Sequence, residues 1–152
     1  MKLALYLPNL RDKITVSEIV DLAREAENLE FDSVWSLDRI VVPEASDKQE
    51  LVKSFGFMKE MPKALPVSAR AEFLHGMPLI PYLSAITQRV RLGVSIIVTP
   101  YRAPGVLAAE LATWDHLCGG RLNVGVGSGW MKEEFAASSA PRLYKKRNKH
   151  VM

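Results

Sequence analysis

The chain has 152 residues, 48% of them hydrophobic, and a formal net charge of +3, which suits one globular domain. No apolar run approaches the roughly 18 residues of a membrane-spanning helix, so no membrane partner is expected. The lone Cys118 excludes an intrachain disulfide and fits a reducing, cytoplasmic setting. Arg142, Lys145, Lys146, Arg147 and Lys149 leave a slightly acidic remainder. With only Tyr144 nearby as an aromatic, that basic cluster reads as a solvated face, and no nucleic-acid partner is expected.

Met1 to Leu7 has one lysine, a short apolar run and no small-residue cleavage site, so it reads as a strand from Leu3 to Leu7 and not as a leader. Thr15-Val16-Ser17-Glu18 is a capping box, with Ile14 and Ile19 placed as its hydrophobic staple. The helix it opens carries Ile19, Leu22, Ala23, Ala26 and Leu29 on one stripe. Phe31 to Leu37 forms a second strand. Periodicity then fails from about 39 to 77, where prolines interrupt a long loop with a short helix expected around Lys48 to Phe55.

A helix from Pro78 to Thr87 follows, with Pro78 and Pro81 in its first turn. A third strand spans Val90 to Val98. The next helix, Pro104 to Leu117, carries Leu107, Ala108, Leu111 and Ala112 and stops at Gly119-Gly120. A fourth strand runs from Arg121 to about Val126. Four alternations of strand and helix predict a parallel α/β protein, which a doubly wound sheet and a (β/α) barrel satisfy equally.

Side chains alternate across a strand, so Val94, Ile96 and Val98 are expected on one face and Gly93 and Ser95 on the other. By the same parity Leu122, Val124 and Val126 oppose Asn123, Gly125 and Gly127. The first set should pack on helices. The second leaves room for a flat ligand, or for the close packing of side chains inside a barrel.

Gly125-Val126-Gly127-Ser128-Gly129 stops short of a dinucleotide fingerprint, because Trp130 stands where the last glycine belongs. The wider order is more specific. Gly119-Gly120-Arg121-Leu122, the glycine run to Trp130, Glu133-Glu134-Phe135, the Arg89 to Gly93 strand, the Pro100 to Pro104 turn, the Ala109 to Leu117 helix and Phe31 to Trp35 together resemble the bacterial luciferase-like flavin and deazaflavin oxidoreductases.

That resemblance implies a (β/α)8 TIM-type barrel whose cofactor, FMN or the deazaflavin F420, binds at the carboxyl ends of the strands. It implies a third-strand bulge with a cis peptide at Ser95-Ile96, behind the ring. It places Gly127, Ser128, Gly129 and Trp130 beside the cofactor, and Asp38 and Arg39 at the catalytic edge. The family commonly has Ser-Asp-His there; this chain has Leu37-Asp38-Arg39, and arginine cannot serve as a base near neutral pH. Read as residues alone, Ser95 fits an ordinary strand serine, Asp38 and Arg39 fit a solvated strand end, and Trp130 fits buried packing.

The three histidines show no metal-ligand spacing, so no metal site is expected, and none is assigned to chemistry. The resemblance further implies that residues 1–152 carry the first four βα units, a half-barrel and the N-terminal half of the family domain. Tyr144 to His150 matches the start of the next family helix. The expected activity is hydride transfer with F420, or monooxygenation with reduced FMN, on a small organic substrate. The alternative is a catalytically silent half-barrel that binds a partner. The chain is then expected to be a fragment, or a natural half-barrel that covers the open edge of its sheet by forming homo-oligomers.

Overall fold

The structure, a computed structural model, describes residues 1–11, 13, 15–41 and 72–149. In chain order the elements are β1 (Ala4–Tyr6), β2 (Leu10–Arg11), α1 (Val16–Asn28), β3 (Ser33–Ser36), β4 (Glu72–Phe73), α2 (Gly76–Ser84), β5 (Arg91–Val98), α3 (Pro104–Leu117), β6 (Leu122–Gly127) and α4 (Lys132–Ala137). Thr99–Tyr101 is a single 3-10 turn and Pro141–Lys149 a longer 3-10 stretch.

α1 starts as the sequence predicts. The Glu18 amide donates to Thr15 Oγ1 and the Thr15 amide donates to the Glu18 carboxylate, at 3.2 and 3.1 Å. Ile19, Ala23 and Ala26 are buried as expected, but Leu29 is 62% exposed because the helix ends one residue before it. The proposed staple residue Ile14 and the expected helix around Lys48 to Phe55 lie outside the described residues.

Strand order discriminates between the two architectures that the sequence pattern allows. The four long-range strands pair in parallel in the order β1-β3-β5-β6, each beside the next in the chain. A doubly wound sheet reverses direction partway; this one does not. Right-handed crossovers in a sheet that never reverses put every helix on one face, which is the barrel plan. α1, α2 and α3 accordingly share a single core with Val34, Leu92, Val94 and Ile97. Burying each such aliphatic side chain contributes roughly 1.5–3 kcal/mol.

On the opposite face the expected parity fails in β5. The register with β6 slips by one residue between Val94 and Ile97, and the Ser95-Ile96 peptide is cis. Such a bulge reverses the alternation beyond it. Ile96 therefore leaves the helix face and is 43% exposed, while Ile97 takes the core position at 1%. Val124 and Val126 keep their parity but are 45% and 51% exposed, since β6 is the last strand of the described sheet and none of the described helices covers that stretch.

Three other elements differ from the sequence reading. α2 begins two residues early, at Gly76, with Pro81 inside it and beyond the first turn. The antiparallel pairing of β2 with β4, Leu10 with Phe73, ties the far end of the long loop back to the segment that follows the first strand. Lys132–Ala137 is a short helix, and the following segment is 3-10, with Tyr144 packed edge-on to Phe135 at 5.4 Å.

Candidate functional site

The carboxyl ends of the strands are tied together by Asn9. Its side-chain amide donates to the carbonyls of Leu37 and Leu74 at 3.0 and 2.8 Å, and its Oδ1 accepts from the Leu37 amide at 2.8 Å. In the sequence Asn9 stands just past the first strand with no motif around it; the signal of its role is an amide placed where three chain segments converge.

Immediately after β3, Asp38 turns inward and its side chain is fully buried. Arg102, delivered by the 3-10 turn after β5, grips both its oxygens, Nη1 donating to Oδ2 at 2.7 Å and Nη2 to Oδ1 at 2.6 Å. The Val98 amide also donates to Oδ2, at 2.9 Å. Paired donors of this kind match carboxylate geometry and make strong charge-assisted bonds. His75 joins from the residue before α2, its Nε2 lying 3.6 Å from Asp38 Oδ1 and 3.4 Å from Arg102 Nη2. Burial is the main influence holding its pKa below the usual histidine value, with Arg102 adding to it and Asp38 opposing. His75 is thus part of a cluster that sequence spacing could not reveal.

Arg39 faces the other way. Its Nη1 donates to Glu134 Oε2 at 3.2 Å, and its guanidinium lies 5.0 Å from the centre of the Trp130 ring. Glu134 is 2% exposed and also accepts from the Tyr101 hydroxyl at 2.9 Å and the Ile40 amide at 3.2 Å. Burial pushes its carboxyl pKa up, against the pull of Arg39 and the Ile40 amide. Asp38 and Arg39, adjacent in the chain, belong to two separate ion pairs. Arg102 and Glu134, which hold them, were visible in the sequence only as parts of motifs.

The open face of the sheet lies beside these pairs. Tyr6, Trp35, Gly93 and Asn123 share one row, given by the strand register. A Cβ at Gly93 would meet the Trp35 ring at 2.5 Å, and one at Gly127 would collide with Ile96 Cδ1. The space that the glycines free is therefore filled by Trp35 and Ile96, and Ile96 forms the floor over the β5 and β6 ends. Tyr6 donates to the Ser95 carbonyl at 2.9 Å, and burial is the main reason its pKa is pushed up to about 12. Gly129, at φ 71°, closes the turn after β6 against Val98, with Ser128 half-buried before it. Ser95, Ile96 and Gly127 thus meet on the open face and Arg39 and Trp130 come together at its carboxyl edge, while Asp38 stays buried in its pair with Arg102.

A model of the luciferase-like monooxygenase family matches residues 1–147. The chain belongs to that family. Over 61 residues, 40% of this chain and 16% of the relative, it is 41% identical to the FMNH2-dependent dimethylsulfone monooxygenase of Pseudomonas putida. Among solved structures, the FMN complex of the oxygenating constituent of 3,6-diketocamphane monooxygenase, from Pseudomonas putida, superimposes with a TM-score of 0.67 at 16% identity, covering 99% of this chain and 36% of that one. An F420-dependent secondary alcohol dehydrogenase bound to an F420-acetone adduct gives 0.62 at 18%, covering 85% and 32%. At these identities the solved structures speak for the fold. The chain spans less than half the length of the curated relatives it matches.

Among the described residues no three His, Cys, Asp or Glu side chains gather as a metal site would require, and no helix is long and apolar enough to cross a membrane.

Proposed function

We propose that this chain supplies one wall of a flavin-type oxidoreductase site, taking FMN or F420 against its open face and acting on a small organic substrate. The observation that carries this reading is the β5 bulge, which turns Ile96 out of the core at the carboxyl end of the sheet. The face suits a planar ring. Ile96 and Tyr6 present apolar surface that is 43% and 46% exposed, and glycine at 125 and 127 keeps the neighbouring strand from rising above the isoleucine.

Ser95, Ile96 and Gly127 would hold the ring, with Ser128, Gly129 and Trp130 along its rim. When bound, the cofactor supplies the electron chemistry, hydride transfer for F420 or oxygen activation for reduced FMN; the protein supplies orientation and a dry surface. Asp38 acts through Arg102 to keep the loops that frame the edge in place. Arg39, stacked on Trp130, presents positive charge there for an anionic substrate or a cofactor oxygen.

Titration of the chain with oxidised FMN and oxidised F420, followed by ligand fluorescence, tests the proposal. Saturable binding of one of them is expected; binding of neither would overturn it. The exposed Val124 and Val126 on the outermost described strand favour a second feature, a cover supplied by further barrel units or by another copy of the chain. Sedimentation showing a monodisperse monomer would count against self-association. A stable dimer that binds neither cofactor would favour a silent binding module instead.

A further inference from the structure

Arg39 is held on two sides. Its Nη1 donates to Glu134 Oε2 at 3.2 Å and lies 4.0 Å from Met131 Sδ, and its guanidinium carbon stands 5.0 Å from the centre of the Trp130 ring. One end of the planar group and one of its faces are thereby committed. Glu134 is fixed in turn: Oε2 also accepts from the Tyr101 hydroxyl at 2.9 Å, Oε1 accepts from the Ile40 amide at 3.2 Å, and the residue is 2% exposed. The other edge of the guanidinium stays open. Nε and Nη2 make no hydrogen bond among the described residues, where no buried polar side-chain atom is left unsatisfied, so both nitrogens reach solvent. Arg102 has both of its terminal nitrogens on Asp38. Of the two guanidiniums that meet here, Arg39 is the one with a fork to spare.

We propose that this fork makes the substrate an organic anion, with a carboxylate or sulfonate docked side-on to Arg39. The Nε and Nη2 hydrogens lie in one plane and point the same way, which matches two oxygens of such a group. Glu134 and Trp130 act as positioning residues: they fix the plane of the guanidinium, so little side-chain freedom is left to lose when the anion arrives. The ring seat argues for the substrate over the cofactor as the source of the anion. Trp130 closely follows Gly127, which ends β6 against Ile96, so Arg39 stands beside the proposed ring seat. The phosphate of FMN hangs at the far end of its ribityl tail. A substrate anchored at Arg39 by its charge would present its uncharged part to the ring.

This inference rests on the flavin-type reading for what lies beside the anion, and one experiment separates the two. The chain is labelled with fluorotryptophan, W130F identifies the Trp130 signal, and fluorine NMR follows titration at constant ionic strength with charged and neutral probes in pairs. The pairs are acetate and acetamide, benzoate and benzamide, and benzenesulfonate and benzenesulfonamide. The Trp130 signal should move saturably with at least one anion, bound about tenfold or more tighter than its neutral partner, and R39Q should abolish that preference. Because R39Q leaves Glu134 buried without its cation, R39Q/E134Q repeats the comparison with both charges removed. No preference for the anion in any pair, or a preference that survives in both variants, overturns the proposal. Parallel titrations with FMN and riboflavin test the source: if R39Q lowers FMN binding to the level of riboflavin, the anion is the cofactor's phosphate and the substrate assignment falls. Binding of neither FMN nor F420, with the anion preference intact, overturns the flavin-type reading alone.

Discussion

Replacing Arg102 by methionine keeps an unbranched, largely apolar stem and removes the two donors that hold Asp38. Among the described residues the carboxylate, fully buried, would keep only the Val98 amide at 2.9 Å and the imidazole of His75 at 3.6 Å. Removing one partner of a buried ion pair costs roughly 3–5 kcal/mol, because the remaining charge has no water to replace what was lost. Since the Arg102 side chain is 16% exposed, the lower part of that range applies, about 3–4 kcal/mol. For a chain of this size that corresponds to a fall in Tm of roughly 6–16 °C. Urea unfolding followed by tryptophan fluorescence should show a lower midpoint at an unchanged slope. D38N should cost less, about 2 kcal/mol, because Arg102 is left nearer to solvent than Asp38 would be. The double variant should be more stable than the sum of the single losses predicts, by about 1–3 kcal/mol of coupling. A loss below about 1 kcal/mol for R102M would show that Asp38 is not held in this way.

Other substitutions probe separate parts of the account. Arg121 donates five hydrogen bonds, to Cys118, Thr87 (twice), Val90 and Ser84, closing the end of α2 against the start of β5. R121A should therefore cost roughly 2–4 kcal/mol in urea unfolding, and R121K should recover little, since an ammonium cannot span that fork. G127A should push Ile96 aside, weakening cofactor binding more than stability, with a stability cost of roughly 1–3 kcal/mol; adding I96A should relieve the stability cost without restoring binding. Glu134 has a raised pKa, so between about pH 4.5 and its folded value the native state holds more protons than the unfolded chain, and stability should fall as pH rises through that window. In E134Q this descending slope should disappear from the pH profile of urea midpoints.

Much of the fold was legible because local chemistry and tertiary context agree. The capping box of α1 and the limits of α3, from Pro104 to Leu117, depend on side chains within a few residues of one another. The order of the motifs carried the family and, through it, the bulge at Ser95-Ile96. What alternation could not show is the consequence of that bulge, since a single inserted residue exchanges Ile96 and Ile97 between faces. The glycine-lined face was likewise legible as a pattern, but not its occupants: Trp35 reaches Gly93 from the adjacent strand and Ile96 reaches Gly127. The candidate site was least legible. Asp38 is 64 residues from Arg102, and Arg39 is 95 from Glu134, so neither pair leaves a local signature. The approach of His75 depends on Gly76, whose necessity shows only once α2 lies against β3.

Parallel fluorescence titrations of FMN and F420 into the full chain and into its I96D variant test the central claim most directly. Saturable binding of one cofactor by the unaltered chain, lost in I96D while the far-ultraviolet spectrum and urea midpoint stay close to those of the parent, is the predicted result. Binding of neither cofactor, or equal binding by both proteins, would contradict an open face that seats its ring on Ile96.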